Sequence, residues 1–248
     1  QVRSLLDKRK TREKEELFVV EGPHLVEEAG SSVKYALYSS ILPIVKKLEE
    51  QGIPCYRLSR ASMADLSELE APQGVLAVVK QKPAALPELS AGSGQLLVFC
   101  VEVQDPGNLG TIIRTADAVG ASGVILSKGT VDLFNSKVVR GSMGSIFHLP
   151  VVRITETAKT IEQLKKKNFR IIAADVKAKM SYFEVDLISP TAILVGNEGA
   201  GLPNDILKLA DETVKIPMPG RAESLNVAIS SAIILYEVLR QRQSARKN

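Results

Sequence analysis

The chain has 248 residues, of which 45% are hydrophobic and 4% aromatic, and its formal net charge is +4. This length allows one large domain or two smaller ones, and the hydrophobic content is sufficient for a sizeable core. No uninterrupted apolar run reaches about 18 residues, which argues against a membrane-spanning helix. Two cysteines and two histidines argue against a disulfide framework, a zinc cluster or a Ser-His-Asp triad, and predict a reducing, cytoplasmic setting.

Basic residues are concentrated at both ends of the chain. Five lysines and arginines lie between Lys8 and Lys14, and four lie between Arg240 and Lys247. Basic ends are compatible with a phosphate-bearing partner such as nucleic acid. Each run taken alone is equally compatible with a solvated surface.

The first eighty residues predict a small α/β unit. Apolar patterning and the Gly and Pro breaks place helices and strands in alternation. The predicted helices are 4–16, 42–51 and 62–69, and the predicted strands are 17–20, 33–38, 53–58 and 74–79. Segments 80–87 and 90–94 are rich in Pro, Ser and Gly and predict a linker. We therefore predict two domains, 1–90 and 91–248.

The second predicted domain is an α/β domain. Its predicted strands are 95–101, 123–126, 170–175, 191–195 and 214–217, and its predicted helices are 111–119, 157–167 and 225–242. Continuous apolar strands separated by helices indicate a mostly parallel sheet with helices on both faces.

Three loops of this domain are candidate binding segments, because ligands of parallel sheets bind beyond the carboxyl ends of the strands. Residues 105–114 read DPGNLGTIIR, residues 195–203 read VGNEGAGLP, and residues 216–228 read IPMPGRAESLNVA. None is a P-loop or a GxGxxG fingerprint, which disfavours ATP hydrolysis and dinucleotide binding. A Gly-rich loop such as 196–201 still allows close approach to backbone amides, so the pattern favours a nucleoside-like ligand.

Structural roles are an alternative for single residues of these loops. Asn108 and Ser224 precede apolar helical runs and can be helix N-caps. Arg114 and Asp117 are three residues apart and can pair on a helix surface. The occurrence of all three loops at strand ends favours a binding site over these separate explanations.

Together the three loops resemble motifs 1, 2 and 3 of the SpoU family of RNA methyltransferases, within the SPOUT class. The resemblance spans residues 96–239, and residues 135–145 resemble the family's connecting segment. Residues 18–22 are similar to the ribosomal-protein-like domain that often precedes the catalytic one. The resemblance implies a deep trefoil knot in the C-terminal sheet. It also implies a homodimer, in which the apolar residues of the last helix lie either at the interface or in the core: Ile233, Ile234, Leu235, Val238 and Leu239.

The resemblance further implies transfer of a methyl group from S-adenosylmethionine to a ribose 2'-hydroxyl of structured RNA, without a metal. The implied catalytic residues are Asn108, Arg114, Glu198, Ser224 and Asn226. The implied cofactor-binding residues are Leu194, Gly196, Ile216, Met218 and Leu225. Arg140 is the predicted RNA phosphate contact. A free guanidinium stays protonated, so Arg114 can remove the proton, orient the hydroxyl or stabilise the alkoxide, and these roles stay open.

The RNA substrate is less defined than the reaction. The two-domain layout favours ribosomal RNA over transfer RNA, and the low aromatic content argues against a base-stacking platform for single strands. A noncatalytic RNA-binding protein with the same fold and a base methyltransferase are the alternative functions.

Overall fold

The structure is a computed structural model that describes residues 1–82, 84 and 94–246, and it contains two compact units. The first unit comprises Gln1–Pro83 and Asp132–Phe147, and the second comprises Ala84–Val131 and His148–Asn248. The predicted domain boundary at 90/91 and most of the predicted linker lie outside the described residues. Residues 132–147, which the sequence places in the second domain, group with the first unit.

The first unit is built on a four-stranded mixed sheet in the order β1-β4-β2-β3. Strand β4 pairs antiparallel with β1 and β2, and β3 pairs parallel with β2. The strands are β1 (Leu17–Glu21), β2 (Val33–Tyr38), β3 (Cys55–Arg57) and β4 (Val75–Lys80). The helices are α1 (Val2–Asp7), α2 (Arg9–Glu15), α3 (Pro23–Ala29), α4 (Pro43–Glu50), α5 (Arg60–Leu66) and α7 (Ser136–Ser142). Separate apolar clusters include alternate residues of β1 and β4, as expected for a sheet with both faces covered.

The single helix predicted at 4–16 is wrong, because the chain breaks at Lys8, whose backbone is extended. The break allows the Arg12 guanidinium to reach back and donate to the carbonyl oxygens of Leu5 and Leu6 at 2.6 and 2.8 Å. The same guanidinium forms an ion pair of 2.7 Å with Asp132, and both side chains are less than a tenth exposed. Arg12 therefore stabilises the fold and is not a phosphate contact.

The second unit contains a seven-stranded parallel sheet in the order β7-β6-β5-β10-β8-β11-β9. Its strands are β5 (Leu96–Cys100), β6 (Gly123–Leu126), β7 (Val151–Arg153), β8 (Arg170–Ala174), β9 (Met180–Ser181), β10 (Thr191–Val195) and β11 (Glu212–Lys215). Its helices are α6 (Pro106–Ala118), α8 (Thr157–Lys166), α9 (Asn204–Leu207) and α10 (Val227–Ala245). The predicted parallel α/β sheet is confirmed. Strands β7 and β9 and helix α9 are too short to give a periodic signal, and the sequence missed them.

Helix α10 packs against α6 and β10. Near its end, Arg242 donates to the backbone carbonyls of Gly94, Gln95, Leu187 and Ser189. Burial lowers the pKa of this guanidinium. Arg242 thus anchors the C-terminal helix, so each basic end of the chain contains one arginine with a structural role. In the part of the chain described here, no helix has the length and apolarity needed to cross a bilayer.

Candidate functional site

The second unit contains a cavity of about 540 Å³ beyond the carboxyl ends of the neighbouring strands β10, β8 and β11. Two of the three predicted loops line it. The lining includes Gly196, Glu198, Ile216, Met218, Ser224 and Leu225. A fourth loop, Ala174 to Lys177, also lines the cavity. The strand-end rule that selected the other loops applies equally to this one, because it follows β8.

The loop after β10 folds tightly on itself. The backbones of Asn197 and Gly201 exchange two hydrogen bonds, of 3.1 and 2.9 Å. The Asn197 side chain accepts from the amides of Gly199 and Ala200 and donates to the Glu102 carbonyl at 3.0 Å. Asn197 is not among the residues predicted for the site, although an Asn beside a Gly-rich turn is a common loop-forming signal.

The tight folding of this loop requires a glycine at position 196. A Cβ at this position would lie 2.5 Å from the Gly201 carbonyl oxygen and from the Leu202 nitrogen. These are backbone atoms, so a larger residue forces the loop to move. Gly196 therefore presents only backbone atoms to the cavity.

The Glu198 carboxylate connects this loop to the loop that follows β5. It accepts hydrogen bonds from the backbone amides of Gln104 and Asp105, both at 3.1 Å, and from the Asn108 side chain at 3.0 Å. Burial opposes ionisation of Glu198, but the hydrogen bonds from Asn108 and from the backbone outweigh it, so its pKa lies below the ordinary value. Glu198 is therefore an ionised acceptor at neutral pH.

Asn108 and Asn226 extend this network to the third loop. The Asn226 side-chain amide donates to the Asn108 side-chain oxygen at 2.8 Å, and the Asn226 oxygen accepts from the Ala228 and Ile229 amides. Asn226 is thus the N-cap of α10, and Asp105 caps α6 by accepting from the Asn108 amide at 2.8 Å. The alternative in which Asn108 and Ser224 are the N-caps is wrong.

Arg114 lies on the exposed face of α6, six residues after Asn108. Among the described residues, its side chain makes no hydrogen bond or ion pair. The alternative pairing of Arg114 with Asp117 does not form. Asp117 instead contacts His148, with 2.8 Å between its carboxylate and the histidine Nδ1.

The remaining predicted residues occupy different positions. Leu194 is fully buried inside β10, directly before the first lining residue of that strand. Arg140 belongs to the first unit, and its guanidinium pairs with Glu68 at 2.8 Å. In the described part of the chain, no group of three His, Cys, Asp or Glu side chains is arranged to hold a metal.

Two family models match the sequence. The model of the SpoU rRNA Methylase family matches residues 95–236, and the model of the MRM3-like substrate binding domain matches residues 1–77. The first match covers more than half of the chain and includes all three predicted loops.

Similar proteins include two curated relatives. The 23S rRNA (guanosine(2553)-2'-O)-methyltransferase RlmP of Bacillus subtilis is 39% identical, over 94% of this chain and 92% of the relative. The 23S rRNA (uridine(2479)-2'-O)-methyltransferase of Streptomyces viridochromogenes is 36% identical, over 99% of this chain and 90% of the relative.

Solved structures with the same fold include complexes with AdoMet, which is S-adenosylmethionine. The SpoU methyltransferase AviRb of Streptomyces viridochromogenes with AdoMet has a TM-score of 0.88 at 33% identity, and covers 98% of this chain and 97% of its own. The AdoMet-bound rRNA methyltransferase of Sinorhizobium meliloti has a TM-score of 0.87 at 34% identity, over 96% of this chain and 92% of its own.

Proposed function

The chain belongs to the SpoU rRNA methylase family, and we propose that it transfers a methyl group from S-adenosylmethionine to a ribose 2'-hydroxyl of ribosomal RNA. The structural observation that carries this proposal is the hydrogen-bonded chain from Glu198 through Asn108 to Asn226, which joins the three strand-end loops beside one cavity. Ribosomal RNA is favoured over transfer RNA because both curated relatives above are named for 23S rRNA.

The cavity suits S-adenosylmethionine in size and chemistry. Its volume of about 540 Å³ lies within the usual range for small-molecule sites. Leu202, Ile216 and Leu225 give it apolar walls, while Gly196 brings backbone groups to the surface. We propose that the backbone and side chains around Leu194, Gly196, Ile216, Met218 and Leu225 hold the cofactor. When bound, S-adenosylmethionine supplies a methyl group that its sulfonium makes electrophilic.

The chain's own residues then have to hold the ribose hydroxyl in line with the methyl group and to stabilise the oxygen as it loses its proton. Arg114 is suited to the second task, because its guanidinium is exposed and not engaged by another described side chain. Five N–H donors allow it to orient the hydroxyl and to stabilise an alkoxide. We do not assign it the role of base, since a guanidinium stays protonated.

The hydrogen bonds among Glu198, Asn108 and Asn226 hold the three loops in fixed positions relative to one another. A carboxylate only accepts, so Asn108 must turn its amide towards Glu198 and its oxygen towards Asn226. The first backbone N–H groups of α10 fix the orientation of the Asn226 side chain, since they only donate and its oxygen must accept from them. The donor and acceptor of each hydrogen bond from Glu198 through Asn108 to Asn226 are thereby fixed. Ser224, two residues before Asn226, lines the cavity.

We propose a homodimer that forms through α6 and α10. Of the apolar residues predicted for the interface or the core, Ile234, Leu235 and Val238 are buried, and Ile233 and Leu239 are partly exposed. Ile229 and Tyr236 on the same helix are each 53% exposed, and they offer apolar surface for a second copy.

Four further properties are proposals that rest on family membership. The C-terminal segment forms a trefoil knot, and the protein acts in the cytoplasm, where ribosomal RNA is processed. Residues 1–90 contribute the RNA-binding domain and residues 91–248 the catalytic domain. We also propose that Arg140, which groups with the first compact unit, contacts an RNA phosphate in exchange for its pairing with Glu68.

The proposed reaction is tested by transfer of labelled methyl from S-adenosylmethionine to ribosomal RNA that lacks its own modifications, followed by nucleoside analysis. We expect a labelled 2'-O-methyl nucleoside in 23S rRNA. A labelled base would overturn the ribose assignment. RNA binding without cofactor binding or methyl incorporation would favour the noncatalytic alternative.

A further inference from the structure

The contact between Asp117 and His148 affects whether the Arg114 side chain is available for the reaction. Asp117 lies three residues after Arg114 on α6, so the two side chains share one helix face. A carboxylate in the last turn of a helix is unfavourable, because the carbonyl end of the helix carries partial negative charge. A cation or hydrogen-bond donor beside Asp117 is therefore stabilising, and Arg114 is the nearest basic residue in sequence.

In the structure, the contact partner of the Asp117 carboxylate comes from outside α6 instead. The Nδ1 of His148, which comes shortly before β7, lies 2.8 Å from the carboxylate. The Asp117 side chain is 29% exposed and that of His148 is 44% exposed. Asp117 is thus engaged by another chain segment, and Arg114 keeps its donors available on the exposed face of α6.

We propose that His148 is a positioning residue for the methyl-transfer reaction: it holds Asp117 and prevents it from pairing with Arg114. A guanidinium bound to a neighbouring carboxylate has fewer N–H donors for a ribose oxygen, and its charge is partly neutralised. Loss of the His148 contact releases a carboxylate at a spacing that allows pairing with Arg114. This inference rests on the proposed role of Arg114.

The test compares His148→Ala, Asp117→Asn and the double variant with the wild-type protein. An exposed ion pair at this spacing shifts an equilibrium by roughly two- to threefold. We therefore expect His148→Ala to lower kcat by about that factor at saturating cofactor and RNA. Asp117→Asn should keep the wild-type rate, and adding it to His148→Ala should restore that rate. Cofactor affinity and the thermal midpoint, measured for all variants, check that each protein is folded.

The availability of the Arg114 guanidinium can also be measured directly, without a methyl-transfer assay. Phenylglyoxal modifies guanidinium groups, and its rate at Arg114 can be measured by peptide mass spectrometry. We expect slower modification in His148→Ala than in the wild-type protein, and a return to the wild-type rate in the double variant. A purely structural role of His148 would not be reversed by Asp117→Asn.

The outcomes separate this inference from the proposed function. A wild-type rate and wild-type Arg114 reactivity in His148→Ala overturn the inference alone, provided that Arg114→Ala is inactive. A loss in His148→Ala that Asp117→Asn does not restore also overturns it. Full activity of Arg114→Ala overturns the proposed role of Arg114 itself, and the inference with it.

Discussion

The side-chain amide of Asn226 donates a 2.8 Å hydrogen bond to the side-chain oxygen of Asn108, which ties the N-cap of α10 to the first turn of α6. On its other side, Asn108 donates to Glu198. One short side chain therefore connects loops that lie about 90 and about 118 residues away in sequence. Positioning of this kind is lost when the connecting side chain is truncated.

Asn108→Ala removes both connections, and we expect it to lower kcat by roughly tenfold to hundredfold, because a small misplacement of the reacting groups can cost about a hundredfold in rate. The free energy of unfolding should fall by no more than about 1.5–3 kcal/mol, because the backbone amides of Gln104 and Asp105 still bind Glu198. Single-turnover methyl transfer and thermal unfolding measure the two effects. Thr111→Ala on the exposed face of the same helix is the control. An unchanged rate in Asn108→Ala would show that the connection does not position the site.

Gly196→Ala should weaken S-adenosylmethionine binding by about tenfold or more, because the added Cβ overlaps backbone atoms of Gly201 and Leu202 and displaces the loop. Gly199→Ala is a matched control in the same loop, since its Cβ meets only the Asn197 side-chain oxygen, at 3.7 Å. Calorimetric titration of the cofactor compares the two variants. Equal affinity in both would contradict the tight packing inferred at Gly196.

Arg114→Ala should abolish methyl transfer while cofactor affinity stays close to the wild-type value, because the guanidinium is proposed to act on the acceptor hydroxyl. Arg114→Lys keeps the charge but lacks the planar set of five donors, so we expect only partial activity. Methyl-transfer rates and equilibrium binding of the cofactor separate these effects. Weak cofactor binding in Arg114→Ala would place the residue in the cofactor site instead.

The depressed pKa of Glu198 predicts a pH dependence of stability. Because the folded pKa lies below the ordinary value of 4.5, the carboxylate stabilises the fold at pH values above the unfolded pKa, and this contribution is lost as the pH falls through the folded pKa. We expect the stability difference between the wild-type protein and Glu198→Gln to be constant from about pH 6 to pH 8 and to shrink in more acidic solution. Denaturant unfolding across this range measures it. A difference that grows on acidification would contradict the direction of the shift.

Arg12→Ala should destabilise the first unit by about 3–5 kcal/mol, because it leaves the buried Asp132 carboxylate without its ion-pair partner. Arg9→Ala is the control in the same helix. Arg9 pairs with Glu13 on the surface, where both side chains are about half exposed, and such a pair contributes less than about 0.5 kcal/mol. Urea unfolding of both variants gives the comparison, and similar losses would show that the Arg12 pair is not effectively buried.

The sequence predicted much of the second unit because its signals are local. The apolar runs that form β5, β8 and β10 are buried along most or all of their length, and helix α10 is long and preceded by a polar loop. Two of the three loops singled out in the sequence contain Gly196, Ile216 and Met218, which line the cavity. Short elements such as β7 and β9 have no comparable local signal, since two or three residues acquire strand geometry only from their neighbours.

Other features depend on contacts between residues that are distant in sequence, and the amino-acid pattern does not encode them locally. Arg12 looks like part of a basic surface until Asp132 is brought beside it, and Asp117 looks like a partner for Arg114 until His148 takes that place. The N-cap of α10 is Asn226 and not Ser224, and Asn226 also bonds to Asn108. The sequence by itself determined which residue types are available, through patterning and loop chemistry. The tertiary structure decided which of them are paired, because each charge or amide binds the partner that folding brings within hydrogen-bond distance.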